Sequence, residues 1–296
     1  MTVTWEELGW ERLAEGVGRC RLPVWDCTVG LVTGAGSALL VDAGSSLAEG
    51  ARLRGQAEAL AGCRVRRLAL THPHFDHVFG AAAFAGATVL VAAGEGTPPA
   101  PPGAALTGTG GGTGRGSERA NAHGRGGAGG RAAGDERGSE AGGGRGSVDR
   151  GGDFYGADRA GMCADAVRNG LGRRAAEEAA DALVRPHRSV HGTLALEPAG
   201  GPRILLADVG PGHTARDLAV VVASDPVVVF CGDLVEESGE PQAGPDAVPS
   251  RWPAALDRLL ELGGEDAVYV PGHGAVVDAA FVRAQRDALA RRFGVS

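Results

Sequence analysis

Within Thr71-His72-Pro73-His74-Phe75-Asp76-His77, three imidazoles and a carboxylate occupy six consecutive positions, directly behind the apolar run Arg67-Leu68-Ala69-Leu70. Neutral imidazole and carboxylate together are the donors that Zn2+ prefers, and they also suit iron or manganese. The chemistry these residues point to is therefore metal binding. The bland alternative, solvated surface histidines ahead of a helix, leaves the spacing unexplained. Strand alternation would send His72, His74 and Asp76 to one face. A site this dense fits better where a strand ends and a helix begins, because the turning chain lets His77 swing round. The sequence offers that junction: residues 67–71 read as a buried strand and residues 76–84 as the opening of a helix.

Two more histidines share a context of their own. His213 lies in Gly210-Pro211-Gly212-His213-Thr214 and His273 in Pro271-Gly272-His273-Gly274, both after strand-like runs. Irregular Gly-rich turns after strands are where a scaffold delivers ligands to one rim. Asp233, in Cys231-Gly232-Asp233 behind a VVVF run, has the same placement, and Asp42 in LLVDAG repeats it. Alone, His213 and His273 would read equally well as ordinary turn histidines; the upstream cluster makes them ligands. His187 and His191 lack the strand-end Gly context and read as surface or rim residues. His123 falls in a low-complexity tract and is set aside.

The elements that must position these groups follow from periodicity. Residues 17–42 alternate short β-prone runs with Gly turns and read as antiparallel strands. Residues 45–62 carry a Ser cap, good helix formers and a Gly stop. Further strands are expected at 87–92, 191–196, 204–209, 219–223, 227–231 and 267–270. Helices are expected at 157–170, 173–184, 250–262 and 278–292. Two strand-rich series, each followed by helices, imply a layered sandwich with helices outside two central sheets. The loop at 236–249 is expected either to wall the pocket or to be plain surface, and Phe75 and Trp252 either to line the pocket or, more in keeping with their types, to be core.

Residues 97–152 break the pattern. Gly fills 20 of these 56 positions and large apolar side chains almost vanish, so the tract reads as a disordered insertion in a single domain. Arg115, Arg125, Arg131 and Arg145 beside Gly could suggest an RNA-binding arm, but Glu118, Asp135, Glu136, Glu140 and Asp149 nearly cancel their charge. Over the whole chain 43% hydrophobic residues suffice for a core, and a net charge of −7 argues against a general nucleic-acid or anionic-membrane surface. The chain has no Lys, which with its Ala and Gly content reads as coding bias rather than chemistry. The acidic N-terminus does not read as a signal peptide, and no apolar run approaches the roughly 18 residues of a membrane span. A cytoplasmic protein with a small-molecule substrate is the expectation. Cys20, Cys27, Cys63, Cys163 and Cys231 form an odd set with no CxxC pair, so most should be core thiols, Cys231 among them.

Asp42, the HxHxDH run, His213, Asp233 and His273, in that order, resemble the metallo-β-lactamase superfamily of hydrolases, over about residues 17–277 apart from the Gly-rich tract. The resemblance implies a four-layer αββα sandwich with two divalent metals, most often Zn2+, on one edge. It assigns His72, His74 and His213 to one metal, Asp76, His77 and His273 to the other, and Asp233 to a bridge. Asp42 matches a non-ligand acid that orients a ligand or loop. Two cations sharing a water would supply hydroxide at neutral pH, leaving Asp76 and Asp233 as ligands able to relay protons. Asp at 233 resembles the thioesterase, lactonase and nuclease branches, so an ester, lactone or thioester is the leading substrate class. With about 23 residues after His273, the helical C-terminal domain of the glyoxalase II branch is not expected here. A phosphodiesterase or tRNA-processing nuclease, a di-iron redox member and a catalytically silent metal-binding protein are the alternatives.

Overall fold

Short β-prone runs separated by tight turns make the first part of the chain an antiparallel meander. Strands β1 (Glu11–Ala14), β2 (Val17–Arg21), β3 (Thr28–Gly34) and β4 (Ser37–Val41) pair in sequence order. Helix α1 (Leu47–Ala61) begins at Ser46, whose side chain accepts from the Glu49 N–H, and stops at Gly62 in the left-handed region. It carries the chain across, so β5 (Arg67–Ala69) and β6 (Thr88–Ala92) add parallel to β4. Strands β8 (Arg188–His191) and β7 (Ser147–Arg150) complete an eight-stranded sheet in the order β1-β2-β3-β4-β5-β6-β8-β7. These elements come from a computed structural model, which describes residues 3–94, 147–150, 154–155 and 159–295.

The second sheet has five strands in the order β13-β12-β11-β10-β9. They are β9 (Thr193–Leu196), β10 (Arg203–Asp208), β11 (Leu218–Ala223), β12 (Val228–Glu236) and β13 (Val268–His273). Helix α5 (Trp252–Gly263) is the crossover that makes β13 parallel to β12, and α6 (Ala279–Phe293) follows. Three separate apolar clusters define the layering. Leu53, Ala57, Met162 and Ala176 pack α1, α3 (Arg159–Arg168) and α4 (Arg173–Asp181) onto the first sheet. Leu39, Val41, Leu90, Leu206, Val220 and Phe230 fill the space between the sheets. Val221, Val229, Trp252, Leu256 and Val282 join the second sheet to α5 and α6. Period-two alternation does this sorting: Val220 and Val222 of β11 face the first sheet, while Ala219 and Val221 face the helices. Three cores between four layers make an αββα sandwich.

The sequence-based elements differ from this in several places, and β1 lies ahead of the first strand expected, which begins at residue 17. The single strand expected at 191–196 is broken at Gly192, whose φ of +68° turns the chain out of the first sheet and into the second. The helix expected at 76–84 is one α turn, α2 (Phe75–Val78), then a 3-10 turn, Ala81–Phe84. Gly80 divides them, and a Cβ there would lie 2.0 Å from the Ala43 carbonyl oxygen. Ser147–Arg150, at the end of the Gly-rich tract of 97–152, is a paired strand; the rest of that tract lies outside the described residues. Among the described residues no helix is long and apolar enough to cross a membrane.

Candidate metal centre

The residues singled out by spacing come together where strands of both sheets end. His72 and His74 follow β5, and Asp76 and His77 sit in α2. His213 lies between β10 and β11, Asp233 lies near the end of β12, and His273 ends β13. Asp233 is the hub. Its Oδ2 is 3.5 Å from His72 Nε2, 3.5 Å from His213 Nε2 and 3.3 Å from His273 Nε2. Its Oδ1 is 3.1 Å from His77 Nε2. His74 Nδ1 and His213 Nε2 approach to 3.0 Å, and Asp76 Oδ2 lies 3.3 Å from His273 Nε2 and 3.7 Å from His77 Nε2. The donor atoms thus fall into three overlapping groups, His72-His74-His213-Asp233, His77-Asp233-His273 and Cys27-Asp76-His77, with Asp76 also beside His273.

Hydrogen bonds at the back of each ring decide which nitrogen faces the centre. His213 Nδ1 meets the Gln242 carbonyl at 3.1 Å and His273 Nδ1 meets the Trp25 carbonyl at 2.6 Å. A carbonyl only accepts, so each Nδ1 carries the proton and each Nε2 presents a lone pair. His77 Nδ1 donates to Asp42 Oδ2 at 2.9 Å. Thr71 Oγ1 spends its one proton on Asp42 Oδ2 at 2.8 Å, so it must accept from His72 Nδ1 at 3.0 Å. His74 is turned the other way: Nε2 donates to Asp246 Oδ2 at 3.0 Å, which frees Nδ1. Five rings therefore aim five lone pairs inward, the arrangement that metal-binding histidines share.

Two buried atoms at this centre, His72 Nε2 and Asp233 Oδ1, have no hydrogen-bond partner. Burial drives His72 well below the usual histidine range and His213 down to about 4, so both are neutral bases. Burial also opposes charge on His77 and His273. At His77 the neighbouring Cys27 and the carboxylates of Asp233, Asp76 and Asp42 outweigh it, and His77 is raised well above its usual range. Asp233 and Asp76 push His273 up to about 12. Burial works against Asp233 as well, but the imidazoles of His273, His77 and His72 hold its carboxyl well below its usual range. Neutral His72 and His213, the ionised Asp233 carboxylate, and His77 and His273, whose Nε2 protons a cation would displace, make a donor set that fits divalent cations.

The supporting frame includes groups that spacing alone did not reveal. Asp246, Gln242 and Trp25 contribute through contacts made across the fold, and Thr71 joins Asp42 across the fold to its own sequence neighbour His72. Arg19, almost fully buried, pairs with Glu11 at 2.7 Å and donates to the Gly274 carbonyl at 2.9 Å, just past His273. Asp217 accepts from the Thr214 N–H and Oγ1, fixing the turn that carries His213. Asp42 adopts φ +63°, a conformation Asp tolerates better than most residues, and also accepts from the Thr71 N–H. Cys27 is a buried thiol, as expected, but it lies against the centre, 3.7 Å from both nitrogens of His77. Cys231 is core, and the cysteines are free.

A cavity of about 350 Å3 opens onto the cluster, lined by His74, Asp76, His213, Asp233 and His273. Ser238, Glu240, Gln242 and Gly244 also line it, so the loop at 236–249 does wall the pocket. Phe75 lines it as well, edge-on to Trp25 at 5.3 Å. Trp252 is core: its ring is buried, 5.3 Å from His213, and its Nε1 donates to the Leu234 carbonyl. His187 is exposed and His191 half-buried, both outside the cluster.

Residues 22–273 match the family model of the metallo-β-lactamase superfamily. The chain belongs to that superfamily. Its members are metal-dependent hydrolases, and the solved structures it resembles share the fold. The mono-zinc form of the metallo-β-lactamase FIM-1 from Pseudomonas aeruginosa superposes with a TM-score of 0.57 at 16% identity, over 97% of this chain and 96% of that one. A metallo-β-lactamase from Pontibacter korlensis gives 0.55 at 16%, covering 95% and 97%. One from Hirschia baltica gives 0.54 at 13%, covering 95% and 96%. No curated protein matches the chain in sequence.

Proposed function

We propose that this superfamily member is a binuclear metal-dependent hydrolase of an ester, lactone or thioester. In this reading His72, His74 and His213 hold one divalent cation, Asp76, His77 and His273 hold the other, and Asp233 lies between them. Zn2+ suits the donor set best. The observation that carries the reading is the convergence of five tautomer-fixed imidazoles on the Asp233 carboxylate. Bound there, the cations supply Lewis acidity, which acidifies water toward neutral pH and polarises the scissile carbonyl. The protein's own groups do the rest. Asp42, Thr71, Asp246 and the Gln242 and Trp25 carbonyls fix the rings, so no reorganisation is needed as charge develops. Asp76 Oδ2, on the cavity wall, takes up a proton and passes it toward the leaving group. Phe75 and Trp25 keep one side of the cavity apolar.

A lining without Arg or Lys among the described residues favours this class over a phosphodiester. The test is hydrolysis profiling with purified protein of measured metal content, using esters, lactones, thioesters, phosphodiesters and a β-lactam. Turnover of the carbonyl substrates, lost on chelation and restored by Zn2+, is the expected result. Preference for a phosphodiester or the β-lactam would reassign the substrate, and no turnover with full metal content would leave a silent metal-binding protein. Asp233→Ala should reduce metal content below two per chain and abolish turnover. Full activity with two bound metals would overturn the ligand assignment.

A further inference from the structure

Beyond the metal cluster, the cavity carries charge that the proposed hydrolysis does not use. Apart from the cluster residues its ionisable lining is Asp165, Glu236 and Glu240. Asp165 is answered by Arg168 at 2.8 Å, and Glu240 is exposed to solvent. Glu236 is different. It is only 9% exposed, its Oε1 accepts from Ser238 Oγ at 2.6 Å, and among the described residues nothing donates to Oε2. Its backbone is fixed at the end of β12, in register with His273, and its N–H donates to Gln285 Oε1 at 3.0 Å. Its Oε2 is left free in the cavity lining, where a positive group on a bound molecule can meet it. Trp25, half-buried in the same lining and braced by its Nε1 bond to the Asn169 carbonyl, offers the aromatic surface that alkylammonium groups favour.

We propose that this cavity recognises a cationic, alkylammonium-bearing substrate, with Glu236 as the charge partner and Trp25 as the aromatic surface. The inference rests on the hydrolase reading for its reaction, but the recognition itself does not. Asp76 and Asp233 are taken up by the bound cations, which leaves Glu236 as the buried carboxylate of the lining that a substrate ammonium can meet. An ester or thioester whose acyl or leaving group carries the ammonium is then selected over its neutral and anionic counterparts.

The test compares three thioesters on the metal-loaded protein: S-acetylthiocholine, its carbon isostere S-(3,3-dimethylbutyl) thioacetate, and anionic S-acetyl-3-mercaptopropionate. The wild-type protein should favour the cation over the isostere by about tenfold or more in kcat/KM. The ratio should shrink with added salt and fall to within about threefold of unity in Glu236→Gln. Equal rates for cation and isostere, or preference for the anion, would overturn the proposal without need of any variant. Calorimetric titration with choline and with 3,3-dimethylbutan-1-ol separates recognition from reaction. If no thioester is cleaved but choline binds more tightly than the alcohol, and less tightly to Glu236→Gln, the hydrolase reading fails and the recognition stands. If choline binds no better than the alcohol, the recognition fails whatever is hydrolysed.

Discussion

At the level of single residues, the centre is governed by what lies behind each histidine. Four rings present Nε2 because their Nδ1 is engaged; His74 alone of the five presents Nδ1, and among the described residues Asp246 is the group that turns it so. The donated proton and the nearby carboxylates of Asp246, Asp233 and Asp76 outweigh burial and raise His74 above the usual histidine range. Asp246→Ala should therefore weaken Zn2+ binding about 10- to 100-fold, the usual cost of losing such a partner. Because the Asp246 side chain is 45% exposed, stability of the metal-free protein should change by no more than about 0.5 kcal/mol. Asp246→Asn keeps an acceptor oxygen and should recover much of the affinity. Competition against a chelating dye measures all three proteins, and equal affinities would show that Asp246 does not orient the ring.

At the level of elements, the proposed ligands stand at or near the ends of strands, and the close approach of β12 to β13 is what brings Asp233 and His273 together. Gly272 makes that approach: a Cβ there would lie 1.8 Å from Asp233 Oδ1 and 2.8 Å from the Asp233 nitrogen. Gly272→Ala should cost about 1–3 kcal/mol in denaturant unfolding, as overpacking does, and lower metal content by displacing Asp233. Wild-type stability together with wild-type metal content would refute this. The same strands show what could be read from sequence. VVVF ahead of Asp233 and LLV ahead of Asp42 have the period and turn residues of strands, so the rim position of their acids was legible, as were the two sheets. Strand β1 was not, since Glu11-Arg12-Leu13-Ala14 is half exposed and too short to show a period. The break at Gly192 was hidden because apolar residues continue on both sides of it. Asp246 and Arg19 act on residues more than 170 positions away, and no local pattern records such a contact.

At the scale of the whole molecule, the two sheets are joined by apolar packing and by a few polar bonds at their ends, among which Asp208 is titratable. It closes β10, and its Oδ2 accepts from the Gly94 N–H just beyond β6, so it ties one sheet to the other. Burial raises its carboxyl to about 6, against the lowering effect of that bond and of the charges on His191 and Arg258. The sign of the linkage follows. Between about pH 4 and pH 6 the folded chain holds a proton there that the unfolded chain has released, so this contribution is complete at low pH and is lost as pH rises through about 6. For a partly exposed group the ionised form then costs about 2 kcal/mol. Asp208→Asn keeps the acceptor for Gly94 and cannot ionise. Relative to the wild-type protein it should be near neutral at pH 4 and more stable by about 2 kcal/mol at pH 8. Denaturant unfolding of both proteins with chelator present removes the separate pH dependence of metal binding. A stability difference that stays constant from pH 4 to pH 8 would mean that the Asp208 carboxylate is not penalised at the junction of the sheets.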